Sequence, residues 1–154
     1  MIDVAADDAW LAAEPDCEAL AVAAGEAALA AAPTLRRIGE EVSVLLTDDP
    51  TVHALNAQYR HHDKPTNVLS FPAPDNAHGH LGDICLAYGV CAREAGEQGK
   101  TLAAHLQHLV AHGVLHLVGY DHEDEADAEV MEDLERQILA GLGLADPYLE
   151  RQGS

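Results

Sequence analysis

The segment His112-Gly113-Val114-Leu115-His116-Leu117-Val118-Gly119-Tyr120-Asp121-His122 places three histidines four and six residues apart around a glycine. Such a set suits one divalent cation, because three imidazoles leave a fourth tetrahedral position open. Upstream, Leu102, Leu106, Leu109, Val110, Val114 and Leu117 recur at helical spacing, so His112 and His116 are predicted one turn apart on one helix face. Gly119 suits the left-handed residue that ends a helix and lets the chain return His122 to that pair. Water at an open zinc position falls to a pKa of about 7 and becomes a nucleophile. The plain alternative, unrelated polar residues on a helix, is the commoner explanation of an isolated His-x-x-x-His. The third histidine and the intervening glycine weigh for a metal site.

The metzincin pattern H-E-x-x-H-x-x-G-x-x-H shares these offsets. Where it has glutamate as general base, this chain has Gly113, so a conventional zinc peptidase is disfavoured. Asp121, next to His122, has two readings: it orients a ligand ring or accepts a proton, or it caps the following helix. His105 and His108 extend the histidine stripe upstream. They read first as partly buried helix positions with a satisfied hydrogen bond, and second as residues supporting the metal ligands.

A second polar run, Arg60-His61-His62-Asp63-Lys64-Pro65-Thr66-Asn67, lies between a helix end and the apolar Val68-Leu69-Ser70-Phe71. Arginine's planar fork matches two phosphate oxygens, which suits Arg60 to an anionic substrate or transition state. On spacing alone an ordinary surface loop is the simpler explanation. His78 and His80 read as loop residues, and Asp83 in Leu81-Gly82-Asp83-Ile84 as a carboxylate that shapes a strand end or loop.

The elements that must position these groups follow from local pattern. Ile2 to Ala5 is an edge-strand candidate, and an alanine-rich helix runs from about Asp16 to Ala32, closed by Pro33. Val42 to Thr47 alternates like a strand; Asp49-Pro50 offers a cap and first-turn proline for a helix through Tyr59. Asn67 to Phe71 and Leu81 to Ala87 read as strands joined by a loop containing Pro72, Pro74, Gly79 and His80. Helices are predicted near Val90 to Gln98, Thr101 to Val118 and Asp124 to Leu142. The class is α/β or α+β, one small mixed sheet covered by helices, in a single domain over residues 1–154.

The 154 residues are 48% hydrophobic and 23% charged, with no run of eighteen apolar residues and no basic segment before a hydrophobic stretch. Cys17, Cys85 and Cys91 are odd in number and lack C-x-x-C spacing, which favours reduced packing thiols in a cytoplasm over a secreted disulfide framework. The net charge of -19 is unusual for a protein that meets phosphate backbones. Its distribution matters: residues 1–59 carry -9, residues 60–120 carry -1 with eight of the ten histidines, and residues 121–154 carry -9. Arg60, His61, His62, Lys64 and a divalent ion can make a local positive site inside an acidic shell, since repulsion is screened beyond about 8 Å at physiological salt. The acidic ends themselves read as solubilising.

Leu55-Asn56-x-x-Tyr59-Arg60-x-x-Asp63-Lys64-Pro65-Thr66-Asn67-Val68-Leu69-Ser70-Phe71-Pro72, then Leu81-Gly82-Asp83-Ile84, the histidine run through His122, Met131, Glu132 and Glu135, and Asp146-Pro147-Tyr148 occur in that order. In these motifs the chain resembles the YbeY family of rRNA maturation endoribonucleases, over roughly residues 40 to 148; residues 1–35 match little. The resemblance implies a cytoplasmic, single-strand-specific endoribonuclease that binds one zinc ion through His112, His116 and His122 and uses Arg60. It implies RNA rather than DNA as substrate, namely precursor 16S rRNA at its 3′ end and defective ribosomes. It also implies ribosomal protein S11 and the Era GTPase as helpers, and no membrane. His112, His116 and Arg60, with Asp121 added for its position beside His122, are the expected catalytic set. Two other readings stand beside this one: a metal-dependent hydrolase of proteins or small molecules, and a non-catalytic ribosome-assembly factor with structural zinc.

Overall fold

The computed structural model describes residues 2–31, 39–73, 79–119 and 125–144. In chain order they form β1 (Ile2–Ala6), α1 (Asp8–Ala13), α2 (Cys17–Ala31), β2 (Gly39–Thr47), α3 (Asp49–Arg60), β3 (Val68–Pro72), β4 (Gly79–Ala87), α4 (Tyr88–Glu97), α5 (Leu102–Leu117) and α6 (Glu125–Gly141). The strands make one sheet in the order β1-β2-β4-β3, with β1, β2 and β4 parallel and β3 antiparallel on β4. This is the small mixed sheet with helical cover that the sequence predicts.

Alternation along β2 sorts the two faces of the sheet: Val42, Val44 and Leu46 are buried while Glu41 and Leu45 are exposed. The first face meets the main core, where Ala21 and Ala24 of α2, Val110 and Val114 of α5, and Met131 of α6 gather with Val44, Ile84 and Leu86. On the other face Val52 of α3 and Val90 of α4 cluster with Leu69, Cys85 and Ala87. Helix α5 packs against α2, α4, α6, β3 and β4. That central position explains its apolar composition, and the partly buried His112 and His116 mark where the cover ends. The three cysteines are free and buried, as packing residues should be. Burial pushes the Cys85 thiol up to about 11 and the Cys91 thiol up to about 12. Among the described residues no helix is long and apolar enough to cross a membrane.

The structure corrects the sequence reading in three places. Helix α1, absent from the expectation, is too short to show periodicity; Asp7 caps it by accepting from the Trp10 N–H, and the Trp10 indole donates to the Thr47 carbonyl at 3.0 Å. The cap of α3 is Asp48, which accepts from the Thr51 N–H at 2.8 Å, so Asp49 is the first helical residue. The Asp49 carboxylate is drawn away to the Val90 N–H at the start of α4, at 3.2 Å. Pro72, Gly79 and His80 belong to strands rather than to a loop, and Pro72 is tolerated because β3 is an edge. Pro33, Pro74, His78 and Asp146-Pro147-Tyr148 lie outside the described residues.

Candidate active site

Thr101 caps α5 by accepting from the Ala104 N–H at 3.0 Å, and the helix runs unbroken through both histidines. His112 and His116 project from one side, their rings 4.6 Å apart by centroid, with the two Nε2 atoms 3.0 Å from each other. Gly119 follows with φ +114, the positive region that the sequence reading assigns to it. Asp121 and His122 lie outside the described residues. Among the described residues no three His, Cys, Asp or Glu side chains converge as a metal site. Two of the three predicted ligands do converge.

Gly113 stands where a metzincin has glutamate, and packing gives the reason. It is buried against β4, and a Cβ there would lie 2.9 Å from Ile84 Cδ1. A side chain at that position forces Ile84 or the helix to shift.

Behind His112 stands a carboxylate on α6. Glu135 Oε1 lies 3.1 Å from His112 Nδ1 and 2.8 Å from His108 Nε2, and the residue is fully buried. Burial alone would raise this carboxyl, but the hydrogen bonds to His108 and His112 outweigh it and hold the group down at about 2. His105 follows the first of its two readings: it is buried, and its Nε2 lies 3.0 Å from Glu94 Oε1, which also accepts from the Asn67 amide at 2.9 Å. Burial lowers its pKa. His108 is likewise partly buried with a hydrogen bond, and its partner is the same carboxylate that touches His112. Glu135 enters the sequence reading only as part of a resemblance, without a role.

Arg60 ends α3 and shares a cleft of about 490 Å³ with His112, His116, Gly119, Asn56 and His62. Its guanidinium donates to the Ser70 carbonyl and sits 5.4 Å from the Phe71 ring centroid. His61, at φ +58, stops the helix, and buried Asn56 clamps the turn that follows. The Asn56 carbonyl accepts from the His62 N–H at 3.1 Å, while its side chain donates to the Lys64 carbonyl at 3.0 Å. Of the predicted positive cluster, Arg60 and His62 line the cleft, and His61 and Lys64 do not.

A larger hollow of about 560 Å³ lies on the other face of the sheet against Leu45, Leu55, Tyr59 and Phe71, with Asp83 and Cys85 at its edge. It contains none of the predicted catalytic or metal-binding residues, so size does not select it over the histidine cleft. His80 and Asp83 are on β4 and hydrogen-bond to each other at 3.0 Å, with Glu41 on the other imidazole nitrogen at 3.2 Å. Asp83 thus shapes its strand, as expected.

Comparison with known proteins bears on the family and the fold. The family described as endoribonuclease YbeY matches residues 6–143, a span that begins well before the motifs carrying the sequence resemblance. Endoribonuclease YbeY of Novosphingobium aromaticivorans is 54% identical over 145 residues, 86% of this chain and 87% of its own length. Endoribonuclease YbeY of Rhodopseudomonas palustris strain BisB18 is 52% identical over 151 residues, 94% of this chain and 89% of its own. A Thermotoga maritima protein with a known solution structure is similar at a TM-score of 0.57 and 25% identity, over 92% of this chain and 91% of that one. With both the sequence span and the fold in agreement, the chain belongs to the YbeY endoribonuclease family.

Proposed function

We propose that this protein is a single-strand-specific, zinc-dependent endoribonuclease that trims the 3′ end of precursor 16S rRNA and acts in ribosome quality control in the cytoplasm. The observation that carries the reading is the convergence of His112 Nε2 and His116 Nε2, 3.0 Å apart, on the cleft that Arg60 also lines. Two nitrogens on one tetrahedral zinc at normal bond lengths stand about 3.3 Å apart, so the pair needs only a small adjustment to share an ion. His112, His116 and, by family resemblance, His122 would hold it. When bound, zinc supplies Lewis acidity that polarises a phosphodiester.

The remaining work falls to the chain itself. Arg60 offers its fork to the non-bridging phosphate oxygens and neutralises charge that builds on phosphorus. Asn56 fixes the turn behind Arg60, and the Ser70 carbonyl and Phe71 ring limit the directions in which the guanidinium can swing. Gly113 supplies no base. Asp121 remains the candidate proton acceptor beside His122, and an internal 2′-hydroxyl is the other nucleophile to consider. Ribosomal protein S11 and the Era GTPase are proposed as helpers that bring an acidic enzyme to its RNA.

The test uses zinc-loaded protein with labelled single-stranded and duplex RNA from the 3′ end of a 16S precursor, beside His116→Ala prepared identically. Cleavage of the single strand that disappears in the variant supports the reading; equal cleavage by both proteins overturns it. Product ends then decide the nucleophile. A cyclic phosphate eliminates direct attack by water, and a 5′-phosphate eliminates the 2′-hydroxyl route.

A further inference from the structure

Helix α6 buries Met131, Glu135, Ile138 and Leu139, positions spaced to form one apolar stripe. Glu135 interrupts that stripe with a carboxylate. A buried carboxylate is unfavourable unless hydrogen bonds replace its lost water, and an apolar side chain would fill the same slot without that requirement. Two hydrogen bonds tie it to α5, where one oxygen, Oε1, meets both His108 Nε2 and His112 Nδ1 at 2.8 and 3.1 Å. A neutral imidazole carries one proton on one of two nitrogens. A carboxylate at Nδ1 keeps that proton on Nδ1, which leaves the lone pair of His112 on Nε2, the atom that faces His116.

We infer that Glu135 is a positioning residue for His112, fixing its tautomer and ring orientation so that Nε2 is presented as a ligand, with His108 anchoring the same carboxylate oxygen from one turn earlier on α5. The inference rests on reading His112 and His116 as metal ligands. Carboxylate partners behind metal-binding histidines typically contribute ten- to a hundredfold in metal affinity. Glu135 belongs to a different helix from the ligands, so α6 completes the site from outside the cleft.

Glu135→Leu separates this role from packing. Leucine suits the apolar slot but takes this acceptor away from His108 Nε2 and His112 Nδ1, so the metal-free variant is expected to fold with a lowered melting temperature, and to lose about ten- to a hundredfold in affinity for cobalt(II) in full-length protein. Glu135→Gln keeps an acceptor oxygen and is expected to recover part of that loss; it also serves if the leucine variant fails to fold. Nitrogen-15 shifts of the imidazoles provide a readout that packing alone would not move. His112 is expected as the Nδ1–H tautomer in metal-free wild type, with Nε2–H appearing in Glu135→Leu. Wild type that binds cobalt while both variants bind equally well, with His112 unchanged, overturns the inference and leaves the metal reading intact. Wild type that takes up no cobalt overturns the ligand reading, and this inference with it.

Discussion

Arg60 shows how much of a side chain's role comes from its neighbours. Its fork is oriented by the Ser70 carbonyl and the Phe71 ring before any substrate arrives. Lysine keeps the charge but has neither the plane nor the two parallel donors. Arg60→Lys is therefore expected to lower the single-turnover cleavage rate by about a hundredfold, the size typical of losing one transition-state donor, with metal content unchanged. Near-normal cleavage by the lysine variant would show that charge alone suffices. Gly113→Ala tests the packing that bars a base from α5: with Ile84 Cδ1 only 2.9 Å from the new Cβ, a loss of about 1–3 kcal/mol is expected in denaturant unfolding. His112 and His116 were legible as a pair because a four-residue spacing puts them on one helix face, whereas Arg60 stood out from an ordinary surface loop only through the family resemblance. Glu135 was not legible, because its meaning depends on contact with a histidine 23 positions earlier on another helix. A lone carboxylate in the apolar stripe of α6 was the available signal.

Elements were legible where a period had room to repeat. The sixteen residues of α5 display their apolar pattern several times, whereas the six of α1 make fewer than two turns and are fixed by the burial of Trp10. The exchange of cap from Asp49 to Asp48 has a similar origin. Either aspartate is a competent cap beside Pro50, and the tertiary attraction of the Val90 N–H for Asp49 decides between them. Strand β4 was read two residues short because Gly79 and His80 look like loop residues. His80 is instead held across the sheet by Glu41, with Asp83 from its own strand on the other nitrogen. The hydrogen bond to Asp83 comes first among the influences that raise its pKa above the ordinary 6.5, with Glu41 adding to it. A raised folded-state pKa means stabilisation that is complete below the unfolded value and lost as pH rises through the folded one. The melting-temperature gap between wild type and His80→Gln should accordingly be wider at pH 5.5 than at pH 9. A gap that is constant with pH would mean that the imidazole acts through packing alone.

The whole molecule carries most of its acids toward the two ends of the chain and eight of its ten histidines in the nearly neutral middle. On the proposed function, an RNA strand in the cleft would meet few fixed cations, Arg60 foremost. Single strands lose affinity with salt at a logarithmic slope of roughly 0.7 per neutralised phosphate, so a slope of about -1 to -2 is expected here for RNA binding to metal-loaded protein. A slope several times steeper would reveal an extended basic track elsewhere. The acidic exterior also explains why a protein helper belongs in the proposed function, since long-range attraction to RNA is not available from net charge.

The helix that carries His112 and His116 is also the one the other layers close around, with Leu106, Val110, Val114 and Leu117 completely shielded. Its amide protons should thus be among the last to exchange with deuterated solvent, released only by global opening. The distance between the two imidazoles is then a property of the folded state as a whole and not of a local loop. Heating should leave that spacing intact up to the cooperative transition and abolish it there in one step.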